Sequence, residues 1–393
     1  MSHGLSPRRW IRLGVAVPLT MALGLTGCSG FFTPVNNNGG TTTGSTTYAY
    51  VTNVNSSGTG GTITEYTDTS GVLTAVSGSP ITLPALPTSI VVAPNNDFLF
   101  VATSLGVFVY TIGTGGALTE GNNGNVAYFN QNGLIPQSVA VDATSSWLII
   151  TYQKSTEVDA LPIDSTQGVP TGSVYPATST FAATNPTVVM SPANANVFVS
   201  LGTGGVNAFG FSPTATTSTP WGSRVAIPLT SGAINVADNA VAVDPTSTYL
   251  YIAEASTATT AVAGSLRTFP IANLVTSAEK DVPVGIGPSA ILAEPTGSYV
   301  YVTNESDGTI SGFSASAGVL TALSGSPFST GKLPVGIAED STESYVSVIG
   351  YGTNPNLWLY KYDATTAGTL DVQTTATTAS SNPSLSNGIA LSH

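Results

Sequence analysis

Residues able to act as acids, bases or electrostatic anchors are few in this chain and lie far apart. Charged residues make up 8% of it, and its two histidines are His3 and His393. Hydrolysis of an ester or lactone needs a base for water and a cation or donor for the developing oxyanion. Glu254 is the carboxylate best placed for the first role, as a candidate catalytic residue. Lys154, two residues after Tyr152, and Arg267 are candidates for the second, with Asn53 and Asn304 as hydrogen-bonding ligand contacts. No Cys/His cluster has zinc spacing, no glycine loop leads into a helix to cradle phosphate, and there is no G-x-S-x-G elbow, so neither a metal nor a cofactor is expected. The segment Asn304-Glu305-Ser306-Asp307-Gly308 offers oxygen atoms but lacks the spacing of a calcium loop, and Asp307-Gly308 reads as a hairpin turn.

The elements that position these residues repeat. YAYVTN at residues 48–53 returns as YVYVTN at 299–304, and GVLTAVSGSP at 71–80 returns as GVLTALSGSP at 318–327. Seven β-branched and aromatic runs begin at Tyr48, Phe98, Trp147, Val197, Tyr249, Tyr299 and Tyr345, at spacings of 50, 49, 50, 52, 50 and 46 residues. Such runs suit a pleated, half-buried surface. Each period holds four short strands, a to d, bounded by Gly, Pro, Asn and Ser clusters, with the seven runs as strand b. The first unit begins at strand b, and an unmatched strand a ends the chain. Pairing that last strand with residues 48–53 would complete the first blade from both termini and close a ring. The expected fold is therefore all-β: a seven-bladed β-propeller of four-stranded blades over residues 48–393.

In a propeller the b–c and d–a loops share one face, the usual ligand face. The last residues of strand b are then Asn53, Thr103, Tyr152, Gly202, Glu254, Asn304 and Gly350, expected to point into that face. Convergence of Glu254, Tyr152 and a Lys or Arg there would favour an enzyme, whereas a mouth lined by Ser, Thr, Asn and backbone would favour binding. Asp142, Asp244, Glu294 and Asp340 share one repeat position before the a–b turn, where a carboxylate bonds turn amides. Glu339 replaces an apolar residue of the repeat, and a chain bend exposing it to water is expected.

The N-terminus carries Arg8, Arg9 and Arg12, an apolar run over residues 13–25, and Leu25-Thr26-Gly27-Cys28. That order is a secretory signal (residues 1–27), and Leu-Thr-Gly-Cys resembles a bacterial lipobox with Cys28 as the lipidated residue. Residues 28–47 read as a Gly/Ser/Thr/Asn-rich tether. The expected location is extracytoplasmic, lipid-anchored to the bacterial cell envelope, with a membrane as partner through that anchor. Beyond Cys28 there are six basic and 21 acidic residues, a net charge of −15, which repels nucleic acid and phosphorylated metabolites. The expected ligand is a protein, a glycan or a small molecule, and the propeller is expected to be a monomer.

The YVYVTN strand, Ile310-Ser311-Gly312-Phe313 and GVLTALSGSP together resemble the YVTN β-propeller family. That family overlaps the seven-bladed lactonase family typified by 6-phosphogluconolactonase-like proteins. The resemblance covers residues 48–393 and implies the propeller fold and, as the alternative function, lactone hydrolysis. Enzymes of that kind use a His with Glu and Arg in the central pocket. No histidine stands inside a blade here, and that departure favours a binding or scaffold module.

Overall fold

The computed structural model describes residues 46–214, 219–230, 235–258, 261–275, 280–352, 355–378 and 386–392. Cys28 and His393 lie outside them. The chain forms seven antiparallel sheets in a ring, a seven-bladed β-propeller. From the centre outward, blade 1 comprises Ser386–Leu391, Thr47–Val54, Gly61–Thr69 and an outer strand split into Val72–Ala75 and Ile81–Leu83. Blade 2 is Pro87–Val92, Phe98–Thr103, Gly106–Ile112 and Leu118–Glu120; blade 3 is Pro136–Val141, Trp147–Tyr152, Ser155–Pro162 and Tyr175–Ala183. Blade 4 is Thr187–Met190, Asn196–Ser200, Val206–Phe211 and Trp221–Ile227; blade 5 is Val236–Val243, Tyr249–Ser256, Ala263–Pro270 and Lys280–Ile286. Blade 6 is Pro288–Ala293, Tyr299–Asn304, Thr309–Ser316 and the split pair Val319–Ala322 and Phe328–Ser329; blade 7 is Pro334–Glu339, Tyr345–Gly350, Leu357–Tyr362 and Leu370–Ala376.

The ring closes as the sequence leads one to expect. The C-terminal strand pairs with the first strand, Ala49 opposite Leu391 and Val51 opposite Ile389. Around the closure, Tyr48 N donates to Ser392 Oγ at 2.8 Å, and Ser392 N donates to Tyr48 O at 2.8 Å. Blade 1 is thus held by both ends of the propeller chain, and no innermost strand is left without a neighbour.

The apolar residues of each strand fill the seams between blades rather than one central core. One seam cluster joins Phe98, Phe100 and Val109 of blade 2 to Val139, Leu148 and Ile150 of blade 3. Equivalent clusters fill the other seams. This follows from the period of two along a strand: both faces of every blade meet another blade, so both alternating sets are apolar.

The a–b turns obey a common plan. Asp142 Oδ1 accepts from Ser146 N and Trp147 N at 2.6 and 2.7 Å, and Asp340 Oδ1 accepts from Ser344 N and Tyr345 N at 2.9 and 2.7 Å. Asp244 and Glu294 bond their own turns likewise. Asn96, Ser145, Asn194, Ser247, Gly297 and Glu343 occupy the left-handed position of successive turns, with φ between 53° and 76°. Asn, Ser and Gly tolerate that conformation best; Glu343 is the exception.

Glu339 does not lie on a solvent-exposed bend. It ends the innermost strand of blade 7 and is fully buried. The turn starts one residue later, at Asp340, so Glu339 keeps the strand alternation and faces the seam with blade 6, like Ile337.

Candidate functional site

The strand-b residues expected to open into the ligand face turn sideways instead. Asn53, Tyr152, Glu254 and Asn304 are all buried. Each lies two residues beyond a seam-facing apolar residue, so the alternation that buries the seam also directs these side chains into it. There they meet a polar residue of strand c and the connection arriving from the preceding blade.

In blade 5, Glu254 and Arg267 come together with Asp238. Arg267 pairs across the sheet with Ile252, and Asp238 pairs with Glu254, which places all three side chains on one face. Arg267 Nη1 lies 3.1 Å from both oxygens of Asp238 and 3.5 Å from Glu254 Oε2, and Nη2 donates to Pro228 O at 2.8 Å. Its guanidinium stacks 5.1 Å from the centre of the Phe269 ring. Glu254 in turn accepts from Thr230 N at 3.0 Å and Thr230 Oγ1 at 2.9 Å. Arg267 and Asp238 are respectively 1% and 0% exposed. The triad clamps the connection from blade 4 to blade 5.

In blade 3 the same positions hold Tyr152 and Asp159. Asp159 Oδ2 accepts from the Tyr152 hydroxyl, from Tyr128 Oη at 2.9 Å and from Asn130 Nδ2 at 3.3 Å. Asn130 Nδ2 also donates to Glu157 Oε1. Burial first, and the Asp159 carboxylate second, push the Tyr152 hydroxyl pKa well above its ordinary value. Tyr152 is therefore a donor rather than a base. Asp159 Oδ1 is buried with no hydrogen-bond partner. Neutral versions of the clamp occur in blade 1, where Asn53 Nδ2 donates to Thr378 O at 3.2 Å, and in blade 6, where Asn304 Nδ2 donates to Ser311 Oγ at 2.9 Å and Oδ1 accepts from Gly285 N at 3.0 Å.

Tyr152 and Glu254 therefore belong to separate clusters in blades 3 and 5 and do not converge. Lys154 is exposed on the b–c hairpin of blade 3 and joins neither cluster. Asp159, Asp238 and Glu157 escape sequence reasoning, because only the strand register shows which residues they oppose. At the channel mouth, small polar side chains link one innermost strand to the next. Thr88 Oγ1 donates to Pro136 O at 2.9 Å, Asn239 Nδ2 to Pro288 O at 3.2 Å, and Ser289 Oγ to Pro334 O at 2.7 Å. Among the described residues no group of His, Cys, Asp or Glu is arranged to hold a metal ion.

A cleft of about 290 Å³ opens on the ligand face between blades 3, 4 and 5. Ala182–Asn185 of the blade 3–4 connection, Leu201–Thr203 of the blade 4 hairpin and Ala237–Asn239 line it, with Phe181 at its edge. A Cβ on Gly204 would stand 2.5 Å from the Phe181 Cβ, so glycine is what lets the hairpin approach the ring. Gly202 and Asp238 exchange backbone hydrogen bonds of 3.1 and 3.0 Å across the cleft floor.

No protein-family model and no curated protein sequence matches the chain. The fold is that of the 6-phosphogluconolactonase-like seven-bladed propellers. A 6-phosphogluconolactonase-like protein of Bacteroides fragilis superposes with a TM-score of 0.64 at 14% identity, over 90% of this chain and 100% of that one. The periplasmic gluconolactonase of Pseudomonas aeruginosa gives 0.63 at 15% identity, over 89% and 99%. A protein of Lactobacillus plantarum gives 0.64 at 18% identity, over 89% and 100%. At these identities the likeness concerns the fold alone.

Proposed function

We propose that the protein is a binding propeller of the bacterial cell envelope, tethered to a membrane through lipid on Cys28. The observation that carries this reading is the fate of the charged groups near the ligand face. Arg267, Asp238, Glu254 and Asp159 are buried and engaged in holding connections between blades. Asp238 also borders the open cleft but is 0% exposed, its carboxylate held by Arg267, so the cleft presents backbone, Thr184, Asn185, Thr203, Asn239 and Phe181. A pocket of neutral donors and acceptors beside an aromatic ring orients a ligand without a base to activate water.

Lactone hydrolysis is the second reading, favoured by the shared fold with a periplasmic gluconolactonase. The deciding experiment is a hydrolysis assay on the intact mature protein with phosphorylated and unphosphorylated lactones. The binding reading expects no turnover above background from protein that melts cooperatively. Turnover that disappears in Glu254→Ala would overturn it and make this an enzyme without a histidine in its blades.

A further inference from the structure

We infer that the ligand is a neutral saccharide chain, one ring of which sits in the cleft between blades 3, 4 and 5 against Phe181, with the next rings crossing blade 3 towards Phe129. The inference rests on the binding reading above and names its ligand class.

Two aromatic rings stand out among the exposed large apolar residues of the described chain. Phe181 is 44% and Phe129 56% exposed; the others are aliphatic. Both lie on the ligand face, on either side of the loops of blade 3. Phe181 lies two residues before the end of the outer strand of that blade. Phe129 follows Tyr128, which pairs with Val107 on the outer edge of blade 2, and opens the seven-residue connection over residues 129–135 to blade 3. The equivalent connections at 84–86 and 184–186 have three residues each, and that at 228–235 has eight. An extension confined to one face of a repeat array is the usual way such arrays acquire a binding surface. Tyr128 and Asn130 pin this one to Asp159, so Phe129 is presented on an anchored loop.

The chemistry around the rings selects the ligand. A pyranose has an apolar C–H face and a rim of hydroxyls. It fits an aromatic ring flanked by amides and hydroxyls, here Thr184, Asn185, Thr203 and Asn239 beside Phe181. No basic side chain lines the cleft, so it offers no counter-charge to a sulfate, phosphate or uronate. The net charge of −15 beyond Cys28 opposes polyanions further. The cleft volume is near the lower bound of about 300 Å³ for small-molecule sites, which suits a single ring, and its openness to the face allows the chain to continue.

Calorimetric titration of the intact mature protein in detergent tests this, with cello-, xylo-, manno- and maltohexaose and a sulfated counterpart of whichever hexaose binds. At least one neutral hexaose should bind, and the sulfated form should bind at least tenfold more weakly. Phe181→Ala should lower the affinity about tenfold and Phe129→Ala about threefold, in the range of single aromatic contacts. Val72→Ala, on the opposite face of blade 1, should leave it unchanged. Failure of every neutral hexaose to bind a cooperatively melting protein would overturn the saccharide inference, as would affinities indifferent to both phenylalanines. Lactone turnover would unseat the binding reading itself.

Discussion

Replacing Arg267 by methionine tests whether the blade 5 triad is a structural clamp. The substitution keeps much of the aliphatic bulk against Phe269 but removes the guanidinium from Asp238 and Glu254 and the donor from Pro228 O. Both carboxylates stay where they are, 0% and 5% exposed. Glu254 keeps its two bonds from Thr230, so most of the cost falls on Asp238. Removing one partner of a buried ion pair costs about 3–5 kcal/mol, because the other charge stays buried without its counter-ion. An unfolding entropy of about 2.1 cal/mol/K per residue gives roughly 0.7 kcal/mol/K for a propeller of about 340 residues, so Tm should fall by about 4–7 °C. Differential scanning calorimetry measures this directly. Arg267→Lys should fall between the two, since an ammonium cannot reach Asp238 and Pro228 O with one planar fork. In an Arg267→Met background, Asp238→Asn should cost much less than alone, a coupling that a double-mutant cycle isolates. A Tm for Arg267→Met within about 1 °C of the parent would refute the reasoning, reducing the triad to the energetic level of an exposed ion pair.

Two further predictions concern the opposite face and the ring closure. Both oxygens of Glu339 are buried without a well-formed hydrogen bond, and the neighbouring Tyr362 hydroxyl offsets only part of that burial. Burial first, then the Glu294 charge, with smaller contributions from Asp340 and Glu343, raise its pKa well above the ordinary carboxylate value. A raised folded-state pKa means stability that is fully present below the unfolded value and lost as pH rises through the folded one. Glu339→Leu should therefore stabilise the protein, by about 1–3 kcal/mol at pH 8, and by less at pH 4; an equal gain at both pH values in thermal melts would contradict the assignment. Ending the chain at residue 385 should remove the strand that carries the buried Ile389 and Leu391 and should expose the edge Ala49–Asn53. At about 1.5–3 kcal/mol per buried aliphatic side chain, the truncated protein should lose several kcal/mol in urea titrations and self-associate through its new edge; an unchanged midpoint would show that closure contributes nothing.

Repetition made the architecture legible. The strands beginning at Phe98, Trp147, Tyr249, Tyr299 and Tyr345 start at the residues read from sequence, because aromatic residues follow the a–b turn at a fixed distance. The starts of the innermost strands were not marked in the same way: in blades 2, 6 and 7 they begin at Pro87, Pro288 and Pro334, each of which pairs across a bulge. The site was less legible. Strand alternation, not position at a loop, decides where Asn53, Tyr152, Glu254 and Asn304 point, and their partners become visible only once Ile252 is known to oppose Arg267 and Ile150 to oppose Asp159. The connection over residues 129–135 left no mark on the spacing of 49 between Phe98 and Trp147.

The entry point of the chain into blade 1 gives the molecule a direction. Thr47 lies on the face of the a–b turns, its Oγ1 2.9 Å from Ser341 Oγ, while the strand it opens runs towards the ligand face at Val54. A lipid on Cys28 would therefore pull on the turn face, and the cleft would look away from the bilayer. Residues 29–46 number 18, which sets an upper limit of about 60 Å on the reach of the chain from Cys28. Within that limit the propeller would stand like a dish on a mast, its aromatic rings turned to whatever lies beyond the lipid surface.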